Sequence, residues 1–313
     1  MEVLTTVDAD RIRALLERDE YFWLDLARPT SEALEEIGQL LRIHPLALED
    51  SREFSQRPKL DRYPDAVLFV YWSGRIVDDG TAVEPIEVHL HISGSWMVTV
   101  RRAQCLALEA LHDELPGNEH AEDYVVYRVL DALTDALYPV VDQLEARVDA
   151  LEAQVLHDPR QPQLGQIHRL KQEVQQLYRR VQAQRDHYPA AAAAILALPG
   201  LTRSKSEYLR DVGDHLVQVT GELQRQIDDM STLTSTFFNA NATRLNRQAT
   251  RLTVIATFFL VWTLVTSFFG QNFGWMTDHI SSLAAFIVYD GLLLIVPTVV
   301  LGVYFWKRRA EWW

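Results

Sequence analysis

"RLTVIATFFLVWTLVTSFFGQNF", Arg251 to Phe273, opens on a cation, runs without a charge from Leu252 to Phe269, and ends in Gly270-Gln271-Asn272. At about 1.5 Å per residue the uncharged part is long enough to cross roughly 30 Å of hydrocarbon, so it reads as a transmembrane helix. Lipid would reject the two amides at its end. They fit there only if that end faces water or protein instead.

A second apolar run, "LAAFIVYDGLLLIVPTVVLGVYFW" from Leu283 to Trp306, is interrupted only by Asp290 and Pro297. The two runs make a membrane hairpin. Arg244, Arg247 and Arg251 precede the first and Lys307, Arg308 and Arg309 follow the second, while no Lys or Arg lies between them. The positive-inside rule then puts both termini in the cytoplasm, the GQN segment outside, and the chain in the cell (inner) membrane in contact with lipid. "MEVLTTVDADRIRALLERDE" lacks the basic flank and apolar core of a signal peptide, so the part before Arg251 is expected to stay cytoplasmic. Asp290 has two readings: a functional charge within the span, or a residue at the outer interface if the span begins near Val288.

Over 313 residues the chain is 48% hydrophobic and 23% charged, with a net charge of -13. Mean hydropathy near zero conceals the concentration of apolar residues after Leu252. The acidic balance argues against a nucleic-acid binder and favours cations as partners. A single cysteine, Cys105, excludes an internal disulfide and a multi-cysteine zinc site. No nucleotide-binding glycine loop or nucleophile constellation points to an enzyme.

Residues 1–121 read as an α/β cytoplasmic domain. "AVLFVYW" (66–72), "IEVHLHIS" (86–93) and "SWMVTVR" (95–101) have strand character, the last two joined through Gly94 as a hairpin. His89 and His91 alternate and so share a face, either as a zinc-ligand pair or, the favoured reading, as part of a polar strand face. Residues 122–200 read as an antiparallel helical hairpin whose first arm is one helix from Glu122 to His157 and whose second runs from Gln163 to about His187. The first arm and Asp158 carry nine acidic residues against two arginines, a solvated face or an attractor of divalent cations. Residues 201–251 form a stalk helix with a seam at Leu209, Val212, Leu216, Val219, Leu223, Gln226, Met230 and Leu233. A helix continuous from Thr202 to Gly270 would extend about 100 Å. The spans at 252–270 and 282–306 flank an external loop at 271–281, and 307–313 is a basic tail.

One hairpin cannot enclose an aqueous path, so a channel needs several copies around an axis. On the first span Asn246, Thr250, Thr253, Thr257, Leu260, Thr263 or Leu264, and Ser267 recur every three or four residues. Such a stripe serves either a pore or helix packing in lipid. The adjoining amides favour a pore. Mg²⁺ holds its six waters tightly, and neutral amide oxygens can accept from those waters without stripping them.

"EYLRDVGDHLVQV" (207–219), "RLTVIATFFLVWTLVTSFFGQNF" and "VYFWKRRAEWW" at the end together resemble the CorA family of divalent-cation channels, with weaker likeness in "RPKLDRY", "DYVVYRVLDALTDAL" and "LHDP". The resemblance implies an α+β cytoplasmic domain, a long stalk helix and two C-terminal transmembrane helices in a funnel-shaped homopentamer. It implies import of Mg²⁺, with Co²⁺ or Ni²⁺ also admitted, closed by Mg²⁺ bound between subunits. By position, Gly270, Gln271 and Asn272 are similar to the entrance motif, and Asn246 to the inner pore asparagine. Leu252 and Leu260 match apolar constrictions, Thr263 a polar ring with Thr253 on the same lining, and Asp211 a regulatory metal ligand with Glu109 of a neighbouring subunit as partner. Gln271 stands where the family usually has methionine, and the loop after it keeps only Asp278 as an acid. Ser235 replaces a further stalk acid. A ZntB-like zinc transporter, with Zn²⁺ coupled to protons, is the alternative branch.

Overall fold

The computed structural model describes residues 1–77, 82–116, 122–201, 206–271, 274–280 and 282–307, without the side chains of residues 276, 277 and 286. The chain forms two compact units, Met1–Thr234 and Ser235–Trp313.

The first unit is built on a mixed six-stranded sheet of order β1-β2-β6-β5-β4-β3. Its strands are β1 (Glu2–Leu4), β2 (Phe22–Ala27), β3 (Lys59–Arg62), β4 (Ala66–Val77), β5 (Ala82–Ser93) and β6 (Trp96–Arg101). β1, β2 and β6 run parallel, and β6, β5, β4 and β3 alternate as antiparallel neighbours. Three helices, α1 (Ala9–Glu17), α2 (Ser31–Leu40) and α3 (Pro45–Glu53), supply Ile12, Leu15, Leu34, Ile37 and Ala47 to a core with Phe22, Leu24, Leu68, Val70, Val98 and Val100. Asp8 and Thr30 cap α1 and α2 by accepting from the Arg11 and Ala33 amides. The opposite face meets α5 (Glu122–Asp135), α6 (Leu137–His157) and α7 (Gln161–Leu196), following α4 (Leu106–Glu114). Both faces are therefore covered, and consecutive residues from Val67 to Gly74 of β4 are buried.

Two helical expectations are corrected. The single helix read over Glu122–His157 is divided at Ala136. Pro139 explains the division, because it has no N–H for the Asp135 carbonyl and its ring crowds that carbonyl. The following helix does not stop near His187 but continues through Pro189 to Leu196. The alanine run after Pro189 favours helix, and Ala191, Ala194 and Ile195 are buried.

α8 (Ser206–Phe269) is one helix of 64 residues, contributing its first part to one unit and the rest to the other. Each member of its seam from Leu209 to Leu233 is buried within the chain's own first unit. The Gln226 amide donates to the Val141 carbonyl at 3.0 Å, fixing the helix against α6. In the second unit, α8 is followed by a short α9 (Gly274–His279) within the segment read as loop, and by α10 (Leu283–Lys307). α8 and α10 are long and apolar enough to cross a membrane.

Candidate functional site

The apolar half of α8 has two distinct faces. Phe258 meets Phe305 of α10 at a ring-centroid distance of 6.1 Å, and the Trp262 indole donates to Thr298 Oγ1 at 2.9 Å. Val265 on the same side is buried. At about 100° per residue, Leu260 stands roughly half a turn from these contacts, and Asn246, Thr253, Ser267 and Gln271 lie within roughly 40° of Leu260. All five are exposed in the single chain. α10 thus covers one face of α8 and leaves the polar stripe free.

The hydroxyls on this helix are oriented by its backbone. Thr253 donates to the Ala249 carbonyl at 2.9 Å, Thr257 to Thr253 at 2.8 Å, and Thr263 to Phe259 at 2.7 Å. With their protons committed, the oxygens remain as acceptors, suited to the donating waters of a hydrated cation. Thr263 and Leu252 lie on the same edge of the free face, about 60° and 80° around the helix from Leu260, and both are exposed. Gly270 still donates an α-helical bond to the Thr266 carbonyl at 3.0 Å, and Gln271 donates across a three-residue turn to the Phe268 carbonyl at 3.3 Å. A Cβ at Gly270 would stand 3.2 Å from the Thr266 oxygen, so a side chain there would crowd the helix end. Gln271 is exposed, while Asn272 and residues 308–313 of the basic tail lie outside the described residues.

A second cluster joins α5 to the first part of α8. Ligand atoms of Asp131, Asp135 and His215 lie within 4.8 Å of one another. His215 Nδ1 is 3.5 Å from Asp135 Oδ1 and 3.9 Å from Asp131 Oδ1, and His215 Nε2 is 3.8 Å from Asp211 Oδ2. That Nδ1 is buried and makes no hydrogen bond. Burial, reinforced by the charge of Asp135, raises the pKa of Asp131 from its ordinary value, against the pull of Arg128 and His215. A cation would relieve that repulsion, and carboxylates with one imidazole fit a divalent ion. Sequence reasoning singled out Asp211 but not these three neighbours. The available signal was the i,i+4 spacing of Asp131 with Asp135 and of Asp211 with His215, which puts each pair on one helix face.

Glu109, the expected partner of Asp211, makes no contact with it within the chain among the described residues. It accepts from Arg101 at 3.3 Å and Gln104 at 3.1 Å. Arg101 is itself buried against Asp25, whose carboxylate also takes bonds from Thr99 and His112. Burial works against the charge on Asp25, yet His112 and Arg101 together hold its pKa below the ordinary value.

The pair His89 and His91 does share a face, but that face is buried under α3 and not a solvated strand surface. Ser51 Oγ bridges them, 3.1 Å from His89 Nδ1 and 2.8 Å from His91 Nε2, and His89 Nε2 pairs with Glu87 at 2.8 Å. These ring nitrogens are spent on protein partners.

Residues 18–309 match the family described as CorA-like Mg²⁺ transporter protein. The chain is 23% identical over 313 residues to the cobalt/magnesium transport protein CorA of Thermotoga maritima, covering 97% of this chain and 87% of that one. It is 25% identical over 308 residues to the zinc transport protein ZntB of Klebsiella pneumoniae, covering 95% and 90%. In fold it is similar to the CorA magnesium transporter of Methanocaldococcus jannaschii, with a TM-score of 0.78 and 18% identity over 93% of this chain and 91% of that one. With an α+β unit, a long helix and two apolar C-terminal helices, the chain belongs to the CorA-like Mg²⁺ transporter family, whose members move divalent metal ions across membranes and are not enzymes.

Proposed function

We propose that the protein is a homopentameric channel that imports Mg²⁺, with Co²⁺ and Ni²⁺ as further substrates, through a pore lined by the free face of five copies of α8. The observation that carries this reading is the stripe Asn246, Thr253, Leu260, Ser267 and Gln271, left open by the chain's own second span. Both termini are cytoplasmic in this reading, and the host is the inner membrane. Asn272 and Gln271 form the outer amide ring, accepting from the waters of the hydrated ion, and Asn246 forms an inner one. Leu252 and Leu260 supply apolar constrictions, and Thr263 an oxygen ring. A potential of 100 mV supplies about 4.6 kcal/mol per divalent ion, enough to drive import without another energy source.

Regulation in this reading works through Asp211. Mg²⁺ bound there, with Glu109 of a neighbouring subunit or with Asp135 and His215, stabilises the closed state, and low cytoplasmic Mg²⁺ releases it. Replacing Asp211 by Ala should weaken protection of the protein from proteolysis by Mg²⁺. Unchanged protection would remove Asp211 from the sensor.

Zinc transport is the second reading, supported by the match to ZntB and by Gln271, which adds an amide to the entrance. Ion flux into liposomes carrying the purified protein distinguishes the two. Uptake of Mg²⁺ and Co²⁺ without a proton gradient, lost in Asn272→Ala, is the expected outcome. Uptake of Zn²⁺ alone, dependent on a proton gradient, would overturn the magnesium assignment, and normal uptake in Asn272→Ala would overturn the pore.

A further inference from the structure

A cavity of about 520 Å³ opens between α7 and the loop joining α3 to β3, with Gln56, Arg57, Trp72, Gln176, Arg179 and Arg180 on its walls. The loop is firmly held. Phe54 and Ser55 take φ values of 56° and 60°, in the left-handed region that side chains avoid. This turn directs the Ser55 and Gln56 amides onto Glu87 at 2.7 and 2.9 Å. The Trp72 indole then donates to the Gln56 carbonyl at 3.2 Å. On the opposite wall the Arg180 guanidinium lies over the Trp72 ring, 4.4 Å from its centroid.

The charges in this cavity are unbalanced. Among the described residues no carboxylate forms an ion pair with Arg57, Arg179 or Arg180. The carboxylate that acts on Arg180 from a distance is Glu87, whose oxygens are already taken by two amides and His89. Burial lowers the pKa of Arg180, the mark of a half-buried cation short of compensation. In a chain with 43 acidic and 30 basic residues, three arginines around one concavity with no ion pair among the described residues are a local inversion of charge.

We propose that this cavity binds a soluble, multiply charged phosphate compound of about the size of a nucleotide. Guanidinium groups meet phosphate oxygens in a bidentate fork, and Arg180 is already held planar and oriented by Trp72. More than one negative charge is needed to match three cations. The cavity falls within the roughly 300–1,000 Å³ of small-molecule sites and exceeds what a single phosphate fills. Pro58 and Ala183 complete an apolar wall for the organic part of the ligand. This site shares no residue with the free face of α8 or with the Asp211 cluster.

The test is calorimetric titration of the full-length protein in detergent and metal-free buffer, with ATP, inorganic pyrophosphate and dioctanoyl phosphatidylglycerol as probes. ATP should bind saturably, and pyrophosphate should compete with it. Arg180→Gln should weaken ATP by roughly tenfold or more, as expected for loss of a charge-assisted contact. Because Arg180 also packs on Trp72, the exposed pair Arg57→Gln with Arg179→Gln provides a second variant that leaves the core alone, with a comparable loss expected. Absence of saturable binding by ATP and pyrophosphate would overturn the proposal. So would ATP binding unchanged in the double variant, or binding of the lipid alone.

Discussion

The indole Nε1 of Trp262 donates to Thr298 Oγ1 at 2.9 Å, and Thr298 in turn donates to the Leu294 carbonyl at 2.6 Å, so one hydroxyl links the two apolar helices of the second unit. Trp262 stands about 200° around α8 from Leu260. The contact therefore fixes which face of α8 its own partner helix covers.

Thr298→Val should cost about 0.6–1.7 kcal/mol, the range for a hydrogen bond between helices in lipid. Unfolding of the purified protein in detergent would report the loss. Because the contact lies on the covered face, ion preference should stay unchanged. A shift in preference between Mg²⁺ and Zn²⁺ in this variant would place Trp262 and Thr298 on the ion's route and reverse the assignment of faces.

Leu260 is 69% exposed in the single chain, on the face that α10 leaves free. Packed as a ring, such side chains would close a pore by excluding water. Leu260→Asn should raise flux at high cytoplasmic Mg²⁺ by roughly tenfold, the equivalent of about 1.4 kcal/mol off the barrier. Leu260→Val should leave flux near the parent level. Equal flux in the Asn variant and the parent, measured in the same liposomes, would remove Leu260 from the constriction.

Features encoded along one stretch of chain were the legible ones. The uncharged run from Leu252 to Phe269 and the seam from Leu209 to Leu233 each follow a single periodicity, and both are parts of α8. Pro139 gave no signal in the apolar repeat, which continues on either side of it, although it lies in the first turn of α6 just after the break. The cluster of Asp131, Asp135 and His215 was illegible for another reason. Its helices are about 80 positions apart, and only their packing brings the ligand atoms together. Likewise alternation put His89 and His91 on one face but could not say that α3 covers it.

Asp25 and Arg101 are 1% and 2% exposed and pair at 2.8 Å. Asp25→Asn would leave a buried guanidinium without its counter-charge, a loss of about 3–5 kcal/mol for such a pair. Chemical denaturation at neutral pH measures it. The native carboxylate has a pKa below its ordinary 3.8, so its stabilisation is full above that value and declines only as the pH falls below it. A variant as stable as the parent would mean that Glu109 and the Ala103 carbonyl hold Arg101 without help from the charge of Asp25.

His91 should give the first unit a separate sensitivity to mild acid. Burial, followed by the charge of His89, pushes its pKa from 6.5 down to about 3. Between those values the unfolded chain binds a proton that the folded one refuses. Stability from this source is therefore full above pH 6.5 and is lost as the pH falls toward 3, at up to about 1.4 kcal/mol per pH unit. From pH 7 to pH 5 the parent should lose about 2 kcal/mol through this group. His91→Gln keeps a side chain able to bond Ser51 Oγ, which stands 2.8 Å from the native ring, but cannot titrate. Denaturation at the two pH values should show a smaller loss in the variant by about that amount. Equal losses in both proteins would show that folded His91 takes up its proton as readily as the unfolded chain does, and the buried pair would then play no part in the pH response.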